Sequence, residues 1–484
     1  MVRMLYILLF FLMSGCQLAG QLQGNQDSSN SPSISILPDN SGSSEVSSID
    51  FSAGSTEDFF LSVKDSNNQA VTPSSISWAV VSGPASITPA ADNLSIQISS
   101  STSGSGVIRI TVDGKTFDVN YSVAAVASCP GGPTVFSTNM NARNVIGQAD
   151  FVSNSANRGG SAAANTLSSP YGVWVKDGKL YISDGANNRV LIYNSIPTTD
   201  GADADQVVGQ PDFTTTTGTT SATGLKANQG LSVGSTYLAV SEWSNARVSL
   251  WPLSSVTTAT MALGQTDLIS GSSNQGGPVN KNTLAATVQV AESTNKMFVA
   301  DSGNRRVLVY DKASLSSGMD ASVVLGQADF TSSTSGSAPS GMSFPLGVNT
   351  DGTKLIVTDS SNNAVMLYND ISTLTTGMSA DSTIISGYGT AANQLNGPVS
   401  SFYDGTKLFV ADRGNDRILI FNSIPSPGDN ADVIIGQNGA GSGDHNQCNC
   451  STAAANTLWG AHFVYYDGCR LIVADTQNNR VLIY

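Results

Sequence analysis

Residues 180–194 read LYISDGANNRVLIYN: a β-rich run ending in Asp184, a short turn carrying Asn187, and Arg189 opening a second β-rich run. The same D-x-x-N-x-R frame returns as Asp301, Asn304 and Arg306, as Asp412, Asn415 and Arg417, and as Asp475, Asn478 and Arg480. Two imperfect copies fill the gaps. One is Glu242, Asn245 and Arg247; the other is Asp359 and Asn362, with Ala364 where Arg is expected. Six copies at 53 to 63 residue spacing, built on strands, predict a radial or solenoid array.

Working outward, an apolar run with a turn precedes each frame, as in Gly172-Val173-Trp174-Val175 followed by Asp177-Gly178-Lys179. A further strand ending in Gly-Gln follows, at Gly209-Gln210, Gly264-Gln265, Gly326-Gln327 and Gly436-Gln437. Each unit therefore has four strands, a to d, and six such units describe an all-β, six-bladed β-propeller over residues 128–484. After the sixth frame no Gly-Gln strand follows, but one stands upstream at Asn144-Val145-Ile146-Gly147-Gln148. An N-terminal strand supplying the last blade would close the ring and leave no exposed sheet edge.

The array resembles NHL repeats, on the frames DGANNRV, DSGNRRV and DTQNNRV. It is similar to bacterial exported NHL proteins whose strand d reads GQADF or GQPDF, found here at residues 147–151, 209–213 and 326–330. The resemblance implies the propeller fold but leaves the activity open, because such propellers serve as enzymes, ligand sensors, RNA binders and protein docks.

The frame residues themselves read as structural. Asp at a turn start accepts backbone N–H groups, Asn tolerates a left-handed turn conformation, and Arg faces the Asp across the hairpin. A residue required once for chemistry would not recur in every blade. A ring of carboxylates holding a divalent cation is the competing reading; otherwise no cofactor is expected.

Catalytic material is sparse. The two histidines, His445 and His462, are too few for a His-only zinc centre. They mark a possible ligand face instead, with His462 near the start of the inner strand of blade 6. Lactonase-type propellers use a carboxylate-bound metal, to which Glu292 could contribute, although no spacing identifies a set. A metal-assisted lyase or lactonase working in the central channel is therefore the rival to a binding scaffold for protein or glycan. Thirty-six acidic against twenty-two basic residues give a net charge of −14, and no basic cluster exists in the array, which speaks against nucleic-acid binding.

Upstream, residues 1–15 carry Arg3 and then an apolar run too short to span a bilayer as a helix, as a signal peptide does. Met13-Ser14-Gly15-Cys16 resembles a bacterial lipobox, which implies lipidation at Cys16; an ordinary signal peptide containing a cysteine is the alternative. Gln17 resembles the outer-membrane sorting pattern, so the expected location is the cell envelope. Residues 16–35, rich in Ser, Gln, Asn and Gly, read as a flexible tether. Residues 36–126 carry short β-rich runs at 59–63, 76–81, 94–98, 107–112 and 117–123 and resemble a bacterial Ig-like β-sandwich, with Trp78 in its core.

Four further cysteines, Cys129, Cys448, Cys450 and Cys469, read as disulfides in an exported chain. Cys448 and Cys450 stand too close to pair comfortably with each other, so each is expected to take one of Cys129 and Cys469.

Overall fold

A computed structural model describes residues 5–12, 48–52, 56–65, 75–89, 95–99, 104–112, 115–124 and 133–484. Cys16, the tether and Cys129 lie outside the described residues. The chain divides into two compact units, Met1–Pro130 and Gly131–Tyr484.

The first unit holds two four-stranded sheets. One orders Leu5–Leu12, Thr56–Asp65, Ser95–Ser99 and Ser86–Pro89; the other orders Ser48–Ser52, Lys115–Ala124, Gly104–Val112 and Ile76–Ser82. Leu5–Leu12, within the apolar run of residues 1–15, is a strand antiparallel to Thr56–Asp65. Trp78, partly exposed, lies opposite Ile110.

The second unit is a six-bladed propeller. Every blade is a four-stranded antiparallel sheet in the order a-b-c-d. The inner strands are Pro170–Lys176, Asn228–Val233, Thr287–Glu292, Pro345–Thr350, Ser400–Tyr403 and Ala461–Tyr466. Continuous apolar runs fit strands buried on both faces, since each blade packs against two neighbours. Tyr181, Val190 and Ile192 of blade 1, for example, share one core with Leu231, Leu238, Val240 and Trp251 of blade 2. Gly172 and Gly230 let neighbouring inner strands approach closely: a Cβ on Gly172 would stand 2.9 Å from the Gln229 carbonyl oxygen, and one on Gly230 2.6 Å from that of Val288.

Blade 6 takes its fourth strand from upstream. Asn144–Ile146 pairs antiparallel with Arg480–Ile483, and Val145 and Ile146 are fully buried. The segment before it does the work of a c–d connection. In blades 1, 3 and 4 that connection sends a backbone N–H to the outer strand of the preceding blade: Gly201 to Val145, Gly318 to Ala262 and Gly377 to Val324. Asn139 makes the same bond to Ile434 of blade 5 at 2.9 Å, with φ of 62°, beside 63°, 68° and 79° for the three glycines. A left-handed position suits glycine or asparagine. The upstream segment therefore supplies a connection as well as a strand.

Candidate functional site

The frame residues occupy the b–c hairpin of each blade. Asp184 and Arg189 are paired across the hairpin and fully buried. One carboxylate oxygen of Asp184 accepts the Ser168 N–H at 2.7 Å; the other accepts Asn187 Nδ2 and Arg189 Nε, both at 2.7 Å. The remaining guanidinium nitrogens donate to the carbonyls of Ala163 and Thr166 at 2.9 Å and to that of Phe213. One arginine thus ties its hairpin to the loop before the blade and the turn after it.

The arrangement repeats around the ring. Arg306 pairs with Asp301 at 2.7 Å, Arg417 with Asp412 at 2.8 Å and Arg480 with Asp475 at 2.7 Å. In blade 2 the longer Glu242 serves equally well, with Arg247 at 2.7 Å. The frame asparagines donate to the same acids: Asn245 to Glu242 at 2.6 Å, Asn304 to Asp301 and Asn478 to Asp475 at 2.8 Å, and Asn362 to Asp359 and Asn415 to Asp412 at 2.7 Å. Burial pushes the carboxyls of Asp184, Asp301 and Asp475 up, and the adjacent arginines oppose it.

The role expected of the frame asparagines needs one correction. None of Asn187, Asn245, Asn304, Asn362, Asn415 and Asn478 is the left-handed residue of its turn. That residue is the next one, Asn188, Ala246, Arg305, Asn363, Asp416 or Asn479, with φ between 43° and 56°. The frame Asn side chain is needed to donate to the carboxylate, which fixes it within the turn and moves the left-handed position one place on.

Gly-Gln has a paired role that repetition alone did not disclose. Gly147, Gly209, Gly264 and Gly436 have φ between 84° and 92°, and a Cβ there would meet Leu167, Leu225, Leu284 and Leu458 at 2.5 Å. The following Gln then donates to carbonyls of the b–c turn and the d–a loop, as Gln210 does to Asn188 and Thr217 at 2.8 and 3.0 Å. The next Asp starts a turn: Asp212 accepts two backbone N–H groups and the Thr214 hydroxyl, which hold it down at about 2.

A joint between blades was also missed in the sequence. Asn188, Asn363 and Asn479 each accept, through Oδ1, the N–H of a residue at the entrance to the next inner strand: Ala227, Gly397 and Ser169. Blade 5 has Asp416 there, accepting the Gly460 N–H at 2.5 Å. Burial, with Asp475 and Asp412 nearby, pushes Asp416 up to about 7, while the Gly460 bond and Arg413 pull it down. A carboxyl raised on folding binds its proton more tightly in the folded state, so stability falls as pH rises through this range. Asp416→Asn keeps the acceptor and removes the charge. It is expected to raise stability at pH 8 by about 2–4 kcal/mol and leave it unchanged at pH 4, as measured by denaturant melts across pH.

Side chains of the inner strands meet at two levels. At the lower level Trp174, Tyr465 and Phe402 project from blades 1, 6 and 5; Tyr465 lies 4.9 and 4.5 Å from the other two rings. The corresponding residues of the other three inner strands are Ser232, Ala291 and Asn349, at most 2% exposed. At the upper level Val288, Leu346 and Val399 join the apolar cluster of blades 6 and 1. Glu292 is not in a carboxylate set: it pairs with Lys312 at 2.6 Å. Among the described residues no group of three or more His, Cys, Asp or Glu is placed to hold a metal.

The face of the b–c turns and d–a loops carries residues that do not repeat. His462 packs its ring against Tyr171 at 4.7 Å; burial, helped by Arg413, pushes it down to about 3, so it is a neutral imidazole. His445 stacks on Trp459 at 4.6 Å in the loop entering blade 6. Trp243, 37% exposed, meets Phe344 edge-on. In the d–a loops Val152, Ile269 and Tyr388 are exposed at 61–77%.

No family model matches the chain. No curated protein matches it either. Among solved structures it is similar to selenomethionine-substituted virginiamycin B lyase from Staphylococcus aureus, at 13% identity over 66% of this chain and 96% of that one, with TM-score 0.37. It is also similar to a streptogramin B lyase, at 14% identity over 67% and 95%, TM-score 0.37. A nidogen/laminin complex follows at 10% identity over 58% and 88%, TM-score 0.36. These likenesses are of fold and carry nothing about the site.

The loop entering blade 6 corrects one expectation. Cys448 and Cys450 are bonded to each other. Asn449 between them is left-handed, φ 49°, and the two Cα atoms stand 5.2 Å apart, within ordinary disulfide reach. Cys469 is also disulfide-bonded.

Proposed function

We propose that this chain is an exported lipoprotein of the cell envelope, lipidated at Cys16 and held at the outer membrane. Its residues 16–35 act as a tether and residues 36–126 as an Ig-like spacer. Its NHL-type propeller, closed by residues 133–146, is a binding scaffold for protein or glycan. The observation that carries this reading is the concentration of non-repeating aromatic and exposed apolar side chains on one face, while the repeated carboxylates are occupied within the hairpins. A surface of this kind marks an interaction site.

Two tests follow. Cys16→Ser should abolish diacylglycerol attachment and move the protein from the detergent phase to the aqueous phase; retention in detergent would refute the anchor. Changing the exposed Val152, Ile269 and Tyr388 to serine, which leaves the loop carbonyls held by the hairpin arginines in place, should keep the melting temperature within a few degrees and remove capture of envelope proteins or glycans. Binding mapped instead to the opposite face, around Ile196-Pro197 and Ile424-Pro425, would refute this placement.

A further inference from the structure

The d–a loops entering blades 1, 3 and 6 share one design. In each, an Asn N–H donates to the carbonyl of a leucine near the loop's end: Asn157 to Leu167, Asn274 to Leu284 and Asn446 to Leu458, at 2.8–2.9 Å. The same Asn side chain forms a reciprocal amide pair with the frame Asn of its blade, Asn187, Asn304 or Asn478, at 2.8–3.2 Å. Asn157, Asn274 and Asn446 all have φ of 50°. Blades 1 and 3 continue the turn with the glycine pairs Gly159-Gly160 and Gly276-Gly277. Blade 6 has Cys448-Asn449-Cys450 there, in a stretch two residues longer, 446–458 against 157–167 and 274–284.

Two loops of the same molecule thus take this shape without a cross-link. A bond that encloses a single residue also removes little freedom from the unfolded chain. Loop shape and chain entropy therefore do not account for the Cys448–Cys450 bond.

The flanks of the bond are held independently of the sulfurs. Before Cys448, Gln447 Nε2 donates to the Gly436 and Asn456 carbonyls at 3.2 and 2.8 Å and to Asn139 Oδ1 at 2.6 Å. Between the cysteines, Asn449 Nδ2 donates to Asp444 Oδ1 at 2.6 Å. Beyond them, Asn446 donates to the Cys450 carbonyl at 3.1 Å, and Asn154 of the blade 1 loop donates to the Ser451 carbonyl at 2.6 Å. With the S–S bond open, these contacts keep the two thiols neighbours, so reclosure is an intramolecular step at high effective concentration. Cys448 is exposed and Cys450 half-buried, which gives an attacking thiolate access. The contrast is Cys469, which is also disulfide-bonded but only 3% exposed.

We infer that Cys448 and Cys450 form a thiol–disulfide exchange couple whose substrate is a pair of cysteine thiols on another protein. The activity is separate from the binding reading above. A substrate thiol gives its proton to water, and its thiolate attacks Cys448 Sγ. The S–S bond breaks, and Cys450 leaves with the electron pair and takes up a proton. The second substrate thiolate then attacks the substrate sulfur of the mixed disulfide, which closes the substrate's disulfide and releases Cys448 as a thiolate. The substrate loses two electrons and the couple gains them. A small disulfide, such as oxidised glutathione, restores the Cys448–Cys450 bond by the same exchange in reverse.

The experiment uses the full chain with its disulfides formed. Dithiothreitol is added, samples are quenched in acid and alkylated at intervals, and the blocked cysteines are located by peptide mass spectrometry. Cys448 and Cys450 are expected to be reduced at least tenfold faster than Cys469. In a second arm a catalytic amount of the chain is mixed with a reduced two-cysteine peptide and oxidised glutathione. Disulfide formation in the peptide is expected to run at least tenfold faster than with the double variant Cys448→Ser, Cys450→Ser. That variant should melt within a few degrees of the parent, as the cysteine-free loops of blades 1 and 3 imply. A ratio below tenfold in either arm overturns the inference. So does a double variant that melts more than about ten degrees lower, which would make the bond a structural staple.

Discussion

Arg306→Ala is expected to destabilise the propeller by about 3–5 kcal/mol, because it strips Asp301 of its paired cation in a fully buried site. The larger part of that loss comes from the stranded carboxylate and from the Asn280, Thr283 and Phe330 carbonyls that Arg306 now serves. Equilibrium urea unfolding, followed by tryptophan fluorescence, reads the change; a loss under about 1 kcal/mol would mean that the pair is dispensable. Blade 4 is a natural control. Ala364 provides no guanidinium there, and Asp359 accepts two backbone N–H groups before the inner strand, from Ser343 and Phe344, both at 2.8 Å. The corresponding carboxylates of blades 1, 3 and 6 take one such donor each. An extra peptide N–H thus stands in for the missing arginine, so the cost of Arg306→Ala depends on whether the loop before blade 3 can shift to do the same.

Removing residues 1–151 should destabilise the ring at least as much, whereas deleting residues 36–124 alone should not. Burial of Val145 and Ile146 contributes about 3–6 kcal/mol together. Without the segment, strand Arg480–Ile483 becomes an open edge and the Gln148 side chain no longer reaches the Ser155 and Asn479 carbonyls. Thermal melts of the two truncations against the full chain decide the matter: equal melting temperatures would show that the ring does not depend on this strand.

The propeller was legible because its reasons repeat. An acid-Asn-Arg hairpin needed in each blade appears in each blade, and the single Ala364 departure can be seen only against Arg189, Arg247, Arg306, Arg417 and Arg480. What repeats less strictly was harder to find. Asn188, Asn363 and Asn479 share a column with Ala246, Arg305 and Asp416, and the adjacent frame Asn masks them, so the joint between blades went unseen. The connection carried by residues 133–143 hides because Asn139 takes the place of glycine. The Cys448–Cys450 bond depends on one left-handed residue, which spacing does not express. Contacts across the ring closure are the extreme case. Tyr171 and His462 come from blades 1 and 6, and only the closed ring brings their rings together.

The upstream segment also decides how the molecule takes a pull. In a chain tethered at its amino end, tension from a captured partner enters the ring at residue 133. From there the load is shared among several blades. Thr134 bonds to Cys469 and Arg143 to Ile483 in blade 6, Asn139 to Ile434 in blade 5, and Val145 receives Gly201 from blade 1. Antiparallel pairing with Arg480–Ile483 follows. Load entering there therefore falls on bonds to blades 5, 6 and 1 and not on a single strand pairing.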